Sequence, residues 1–424
     1  MMNKTAFLFA ALLLFAAGCI SGSTGDVQKK QTQADLEKDY LSAAVLVQCM
    51  EILEKKYVDG DRIPRKQLFE NAIRGMVSSL DPYSGYEPPR AYTEQQKKRL
   101  GELCGIGVVI AKPPQNYLHV VDVIPDSPAD KAGIRPGSAI LAIDGKDLKK
   151  FNLYQCQKLL QGTNGSRVIL TLLAGKKISK TALIRRKVIT PSVAASKLIE
   201  GHIGYIRLIS FTPHTPNEFR KALAKLKKQK ADAFIIDLRG NTGGQVRAAV
   251  LTLSQLLEPG KVLMKAYQRT RKEEIVRSVK LRNIQPDTKS PVALIVNNFT
   301  ASSAEIFSGA LKDNKRAEIV GARTFGKGTL LHVVRLADGG ALRFASGRYL
   351  TPSGAVIEGK GLEPDHKVLL PLLQTHRLTM QMRRFPGEVK PAVKNAVKDT
   401  QLEFAIQTLE KIDDEDIVSD ESDL

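Results

Sequence analysis

The chain has 424 residues, 43% hydrophobic and 25% charged, a composition that fits roughly two or three globular domains and excludes a chain too polar to bury a core. Its 64 basic and 44 acidic residues leave a net charge of +20, which favours acidic partners: nucleic acid, a membrane surface or acidic proteins. Tryptophan is absent and no zinc-like Cys/His spacing occurs, so no nucleic-acid partner is expected, and the lysines of stretches such as FRKALAKLKKQK read as a solvated helix face.

In chain order, residues 1–19 read as a signal peptide. Lys4 precedes an apolar run from Ala6 to Ala17 that is too short to span a bilayer as a helix, and the run ends in Ala16-Ala17-Gly18-Cys19. Small residues before a cysteine resemble the bacterial lipobox, in which the cysteine is diacylated and becomes the mature N-terminus; Ala16 stands where leucine is commoner. The expectation is an exported, periplasmic protein held to a membrane through Cys19, with the polar linker 20–34 as its tether. Ile20, in place of an aspartate, favours the outer membrane of a diderm host. Cys49, Cys104 and Cys156 remain; they allow one disulfide and require none.

Residues 35–100 place apolar side chains at three- and four-residue spacing in AAVLVQCMEILEKKYV and RKQLFENAIRGMVSSL, which predicts helices until Asp81-Pro82 breaks the pattern. Over 101–188 short β-rich runs alternate with turns and two short helical stretches. This segment resembles a PDZ domain, on Gly105-Ile106-Gly107-Val108, on DSPADKAGIRPGSAILAIDGK and on a later helix around Leu153 to Leu160. Successive backbone N–H groups of such a glycine loop form a nest for a terminal carboxylate, and the peptide adds as a strand to the sheet edge.

From 189 to 370 strands and helices alternate, which predicts a layered α/β core. AFIIDLRG and VALIVNN are continuous apolar runs suited to a buried parallel sheet. Residues 371–424 read as a helical segment followed by an acidic tail, expected to be disordered from Asp413.

Two strand-to-helix junctions carry residues of chemical interest. At Asp237-Leu238-Arg239-Gly240-Asn241-Thr242-Gly243-Gly244, paired glycines let bare amides approach a ligand, as an oxyanion hole requires, although a structural turn would look the same. No Gly-Lys-Ser/Thr follows, so it is not a phosphate loop of the Walker type. At the second junction a helix begins near Ser302. A serine there faces the positive end of the helix dipole, but Ser302 and Glu305 also have the spacing of a capping box. His332 and His202 sit in no triad motif, and His332 reads as a strand residue facing solvent.

TASSAEIFSGALKDNKRAEIVGARTFGKGT, DLRGNTGG, GRYLTPSGAVIEGKGLEPD and AIRGMVSSLDPYSGY, in family order around the PDZ segment, are similar to the signatures of the carboxyl-terminal processing peptidases. The resemblance spans roughly residues 40–370. It implies a serine endopeptidase with an α/β protease core, an N-terminal helical region and an inserted PDZ domain that recognises free or apolar C-termini. It also implies Ser302 as nucleophile, with Ser303 where the family has alanine, and Lys327 as general base. Gly243 or Gly244, with Ser303, would supply the oxyanion amides. No metal or cofactor is implied. The implied partners are protein or peptide substrates with apolar C-termini; an adaptor or a homo-oligomer stays open.

The chemistry is coherent on its own terms. A lysine with an ordinary pKa near 10.4 must lose its charge to act as a base, and burial among Phe325, Leu330 and Leu331 would lower that pKa. One departure stands out: Leu331 occupies the position at which the family has a glutamine that orients the lysine. That leaves an alternative, a weak or inactive homologue acting as a PDZ adaptor.

Overall fold

The computed structural model describes residues 33–421 except 100–101, 113–115, 176, 270–272, 372, 376 and 379–396. The leader, Cys19 and linker residues 20–32 lie outside the described residues. The chain divides into two units, Met1–Gly75 and Met76–Leu424. In the first, helix α1 (Gln33–Lys56) and the start of α2 (Arg65–Ser78) flank a 3-10 turn at Gly60–Arg62. Arg65 pairs with Glu54 at 2.7 Å, and Leu53, Tyr57, Ile63 and Leu68 line a small cavity between them.

The second unit opens with a departure from the helical expectation. Beyond Asp81-Pro82 the chain extends into β1 (Gly85–Glu87), which pairs antiparallel with residues 341–343 before α3 (Pro89–Arg99) begins. Next comes a β-rich domain: β2 (Glu102–Gly105), β3 (Val108–Ala111), β4 (Leu118–Val123), β5 (Ala139–Ile143), β6 (Lys146–Asp147), β7 (Arg167–Ala174), β8 (Lys177–Ile184) and β9 (Arg186–Ile189). Helix α4 (Pro128–Lys131) is capped by Ser127, and α5 (Leu153–Leu160) by Asn152 in a capping box with Gln155. Ile106, Leu118, Ile140, Cys156 and Leu170 lie in this domain's own core.

The α/β core follows. Strands β10 (Val193–Ile199), β11 (Ile203–Leu208), β12 (Ala233–Asp237), β15 (Val292–Val296), β16 (Glu318–Gly321) and β19 (His366–Lys367) form a six-stranded sheet in that order, parallel except for β10 with β11. Strands β11, β12 and β15 are buried at every residue, as continuous apolar runs in a sheet covered on both faces must be. Helices α6 (Thr215–Lys228), α7 (Val246–Leu253) and α8 (Ser303–Asp313) cover one face, and α9 (Thr400–Glu421) covers the other through Ala405 and Leu409. The acidic tail is therefore helical as far as Glu421, against the expectation of disorder; it continues a helix already anchored by its first turns.

Strands β13 (Val262–Gln268), β14 (Glu274–Arg277), β17 (Thr329–Arg335) and β18 (Ala341–Leu350) form a second sheet with β1. Its β17–β18 pairing carries an irregularity between Leu330 and Leu331.

Phe307 of α8 is fully buried, with its ring 5.6 Å from that of Phe211. Phe307→Ala should cost about 3–5 kcal/mol, read as a lower urea midpoint at unchanged slope.

Candidate active site

The site is assembled where the parallel strands end. Strand β12 closes on Asp237, a fully buried carboxylate that accepts from Tyr205 Oη at 2.7 Å and from Arg239 Nη2 at 2.7 Å. Burial acts to raise its pKa, but the Arg239 guanidinium outweighs it and holds the carboxyl below its ordinary range. Arg239 also reaches Asp399, just before α9, at 2.7 Å, so the loop that starts here is fixed to the far end of the chain. In that loop Gly243 donates its N–H to Asn241 Oδ1 at 2.9 Å. Gly244 lies beside Phe211, and Phe211 N–H donates to Gly243 O at 3.0 Å. A Cβ at Gly243 would sit 2.8 Å from Ser302 Cβ, and one at Gly244 2.1 Å from Phe211 O, so glycine is required at both.

Strand β15 ends beside this loop, and several bonds stitch the two junctions together. Gly240 N–H donates to Asn297 Oδ1 at 3.1 Å, Thr300 Oγ1 to Leu238 O at 3.0 Å, and Ala301 N–H to Asn241 O at 2.9 Å. Ser302 then takes φ 59 and ψ −122, a conformation that non-glycine residues rarely adopt and that persists only when its surroundings impose it. It stands at the N-terminus of α8, half-buried, whereas Ser303 is fully buried with its hydroxyl donated to Gly244 O at 2.9 Å. Among the described residues, the amides of Gly244 and Ser303 have no acceptor, while that of Gly243 is engaged by Asn241.

Glu305 does more than cap. Its carboxylate is completely buried and accepts four hydrogen bonds: from Thr324 Oγ1 at 2.6 Å, Gly326 N–H at 2.7 Å, Ser302 N–H at 2.8 Å and Lys327 N–H at 2.9 Å. One side chain thus sets the backbone of the strained serine and that of the lysine loop.

Lys327 is half-buried, and its Nζ lies over the Tyr83 ring at 5.1 Å from the centroid. Burial, then the charge of Arg343, lowers its pKa, while Glu358 opposes the shift. No hydrogen bond joins Nζ to Ser302 among the described residues. Tyr349 is buried, and its hydroxyl donates to the Lys327 carbonyl. Burial, then the charge of Glu305, pushes the Tyr349 phenol well above its ordinary value.

Phe325, expected to shield the lysine, is 56% exposed, and the aromatic contact comes from Tyr83 instead. His332 is exposed against Phe344, and His202 contacts the Glu200 carbonyl; neither bonds to Ser302. In the β-rich domain, Gly105, Ile106, Gly107 and Val108 form the turn from β2 into β3. Ile106 is buried, and Gly107 has φ 81 with no room for a side chain against Ser127. Cys49, Cys104 and Cys156 are all free thiols. Sequence reasoning gave Glu305 only a capping role and assigned none to Tyr83, Tyr349 or Glu358. The segments SLDPYSGY and GRYLTPSGAVIEGKG were the available signal, but their approach to Lys327 is a tertiary fact.

Replacing Glu305 with Gln puts an amide donor against backbone N–H donors and leaves one or two of them without an acceptor. Glu305→Gln should cost about 3 kcal/mol or more in urea denaturation and remove most activity.

Three family profiles match the chain: Peptidase family S41 over residues 202–368, PDZ domain over 119–173, and Activating protease CtpB N-terminal domain over 6–88. A carboxy-terminal-processing protease of Bartonella bacilliformis is 31% identical over 399 residues, 92% of this chain and 89% of that protein. A carboxyl-terminal-processing protease of Synechocystis is 32% identical over 81% of each, and the carboxy-terminal processing protease CtpA of Bacillus subtilis is 32% identical over 87% of this chain and 76% of that one. The crystal structure of a putative S41 protease from Bacteroides fragilis shares the fold, with a TM-score of 0.54 at 16% identity over 86% of this chain and 97% of that one. On these matches the chain belongs to the carboxyl-terminal processing proteases, serine peptidases of family S41, and carries a PDZ domain.

Proposed function

We propose that the chain cleaves proteins with a Ser302/Lys327 dyad, on substrates whose C-termini the PDZ domain takes up. The observation that carries this reading is the shared Glu305 carboxylate, which holds the backbone of both residues. Ser303, buried with its hydroxyl engaged, is the weaker candidate for nucleophile. In the reaction Ser302 Oγ attacks the scissile carbonyl while neutral Lys327 Nζ takes its proton. The amides of Ser303 and Gly244 receive the developing oxyanion, and Gly243, through Asn241, keeps that loop in shape. Lys327 then returns the proton to the leaving amine, and water hydrolyses the acyl-enzyme by the same route.

The PDZ loop of Gly105, Ile106, Gly107 and Val108 would hold the substrate's terminal carboxylate on backbone N–H groups, with an apolar last side chain against the domain's core. The sequence of residues 1–20 supports export and attachment through Cys19, on the periplasmic side and in the outer membrane of a diderm host.

Incubation with an unfolded, apolar-tailed protein tests the dyad. Ser302→Ala should abolish cleavage, and Ser303→Ala, which loses one hydrogen bond to Gly244, should reduce it about fivefold. The reverse order would assign the nucleophile to Ser303. Because only neutral lysine accepts a proton and burial depresses its pKa, kcat/KM should rise with pH through a midpoint below about 10.4. For the anchor, Cys19→Ser should move the protein from the membrane to the soluble fraction; unchanged fractionation with a cleaved leader would contradict lipidation.

A further inference from the structure

Leu331 cannot hydrogen-bond an amine, so something else must orient Lys327. Leu331 lies half-buried in β17 at the register irregularity, while Leu330 packs into the cluster of Met264, Ile306 and Tyr349. The group that meets the lysine amine is the ring of Tyr83, 5.1 Å away. Tyr83 sits in a built turn: Asp81 Oδ1 accepts from the Tyr83 and Ser84 N–H groups at 2.8 Å each, and its Oδ2 from Ser84 Oγ at 2.6 Å. The turn is pinned to β18, where Ala345 N–H donates to Ser84 Oγ at 3.1 Å and Arg343 Nε to Tyr83 O at 3.0 Å. Burial, then the charge of Glu358, raises the pKa of the Tyr83 phenol, and Glu358 accepts from Gly328 N–H at 2.9 Å and Thr329 Oγ1 at 2.6 Å, the two residues that follow Lys327.

We propose that Tyr83 is a positioning residue for Lys327: its ring face seats the amine, and the Asp81 turn, pinned to β18, fixes the ring. The proposal rests on the reading of Lys327 as the base. The charged groups around the amine act in opposite directions: Arg343 of β18 repels its positive form and Glu358 attracts it. On the backbone side, Glu305 accepts the Lys327 N–H and Tyr349 donates to its carbonyl, so the main chain is fixed independently of the side chain. What Tyr83 adds is the direction of the amine. Its π face also favours the ammonium form, so it moderates the effect of burial.

A ring that seats the amine and a ring that only excludes water predict different pH shifts, and the test uses this. In Tyr83→Leu the apolar cover stays but the π face is lost. The acid limb of the pH–kcat profile should move to lower pH by about half to one unit, while the plateau kcat falls about five- to tenfold at little-changed KM. A ring that served only as cover would be replaced by leucine and leave the limb in place, or move it to higher pH where the smaller side chain lets the amine hydrate. Tyr83→Phe keeps the ring and should stay within about threefold of the parent with the limb in place. Adding Leu331→Gln to Tyr83→Leu should restore part of the plateau, because the amide can hydrogen-bond the amine. An unmoved or alkaline-shifted limb, or Tyr83→Phe as impaired as Tyr83→Leu, would overturn the proposal. Tyr83→Met is read in the same way should Tyr83→Leu lose its cooperative thermal transition. Turnover by Lys327→Ala would instead remove the base reading itself, an outcome recognisable apart from the others.

Discussion

The buried carboxylate of Glu305 is the constraint on which the rest of the site depends. A charge with no solvent access is tolerable only when it is saturated with donors, and here four of them converge. Two are the amides of Ser302 and Lys327, which are 25 residues apart in sequence and sit on different elements. The cost of burying the charge ties the strained serine and the lysine loop into one rigid piece. The unusual φ of Ser302 is held by that bond on one side and by the start of α8 on the other.

Around this knot the parallel sheet supplies position and the glycine loop supplies access. Strands β12 and β15 are adjacent and end together, so the two loops that leave them must meet. The bonds between Gly240 and Asn297 and between Thr300 and Leu238 close that meeting. Gly243 and Gly244 then let the backbone come within van der Waals reach of Ser302 and Phe211, which no side chain would permit. At the other end of the loop, the buried Asp237–Arg239 pair reaches Asp399 and ties the loop's beginning to the segment before α9. Breaking such a group leaves an unpaired buried charge, so the loop's origin is as firmly set as its end.

Much of this was legible in the sequence because the signals are local. Continuous apolar runs marked β12 and β15, the paired glycines marked the loop, and the spacing from Ser302 to Glu305 placed the start of α8. The same spacing concealed what Glu305 does, since a capping box accounts for one of its four bonds and the other three come from residues 324–327. Tyr83 and Tyr349 could not be placed, because they reach Lys327 through pairings across more than one element. Phe325 is adjacent to the lysine loop's glycine yet faces solvent, so sequence proximity misidentified the apolar cover. The paired glycines could not be ranked by sequence either; a side-chain bond from Asn241 distinguishes them.

The central claim is that Ser302 is the nucleophile and Lys327 the group that activates it. Covalent labelling with a fluorophosphonate, followed by peptide mass mapping, tests it most directly. The account predicts a single adduct on Ser302, formed faster as pH rises through the depressed pKa of Lys327 and lost in Lys327→Ala of unchanged melting temperature. An adduct on Ser303, or labelling of Ser302 at the parent rate without Lys327, would contradict it.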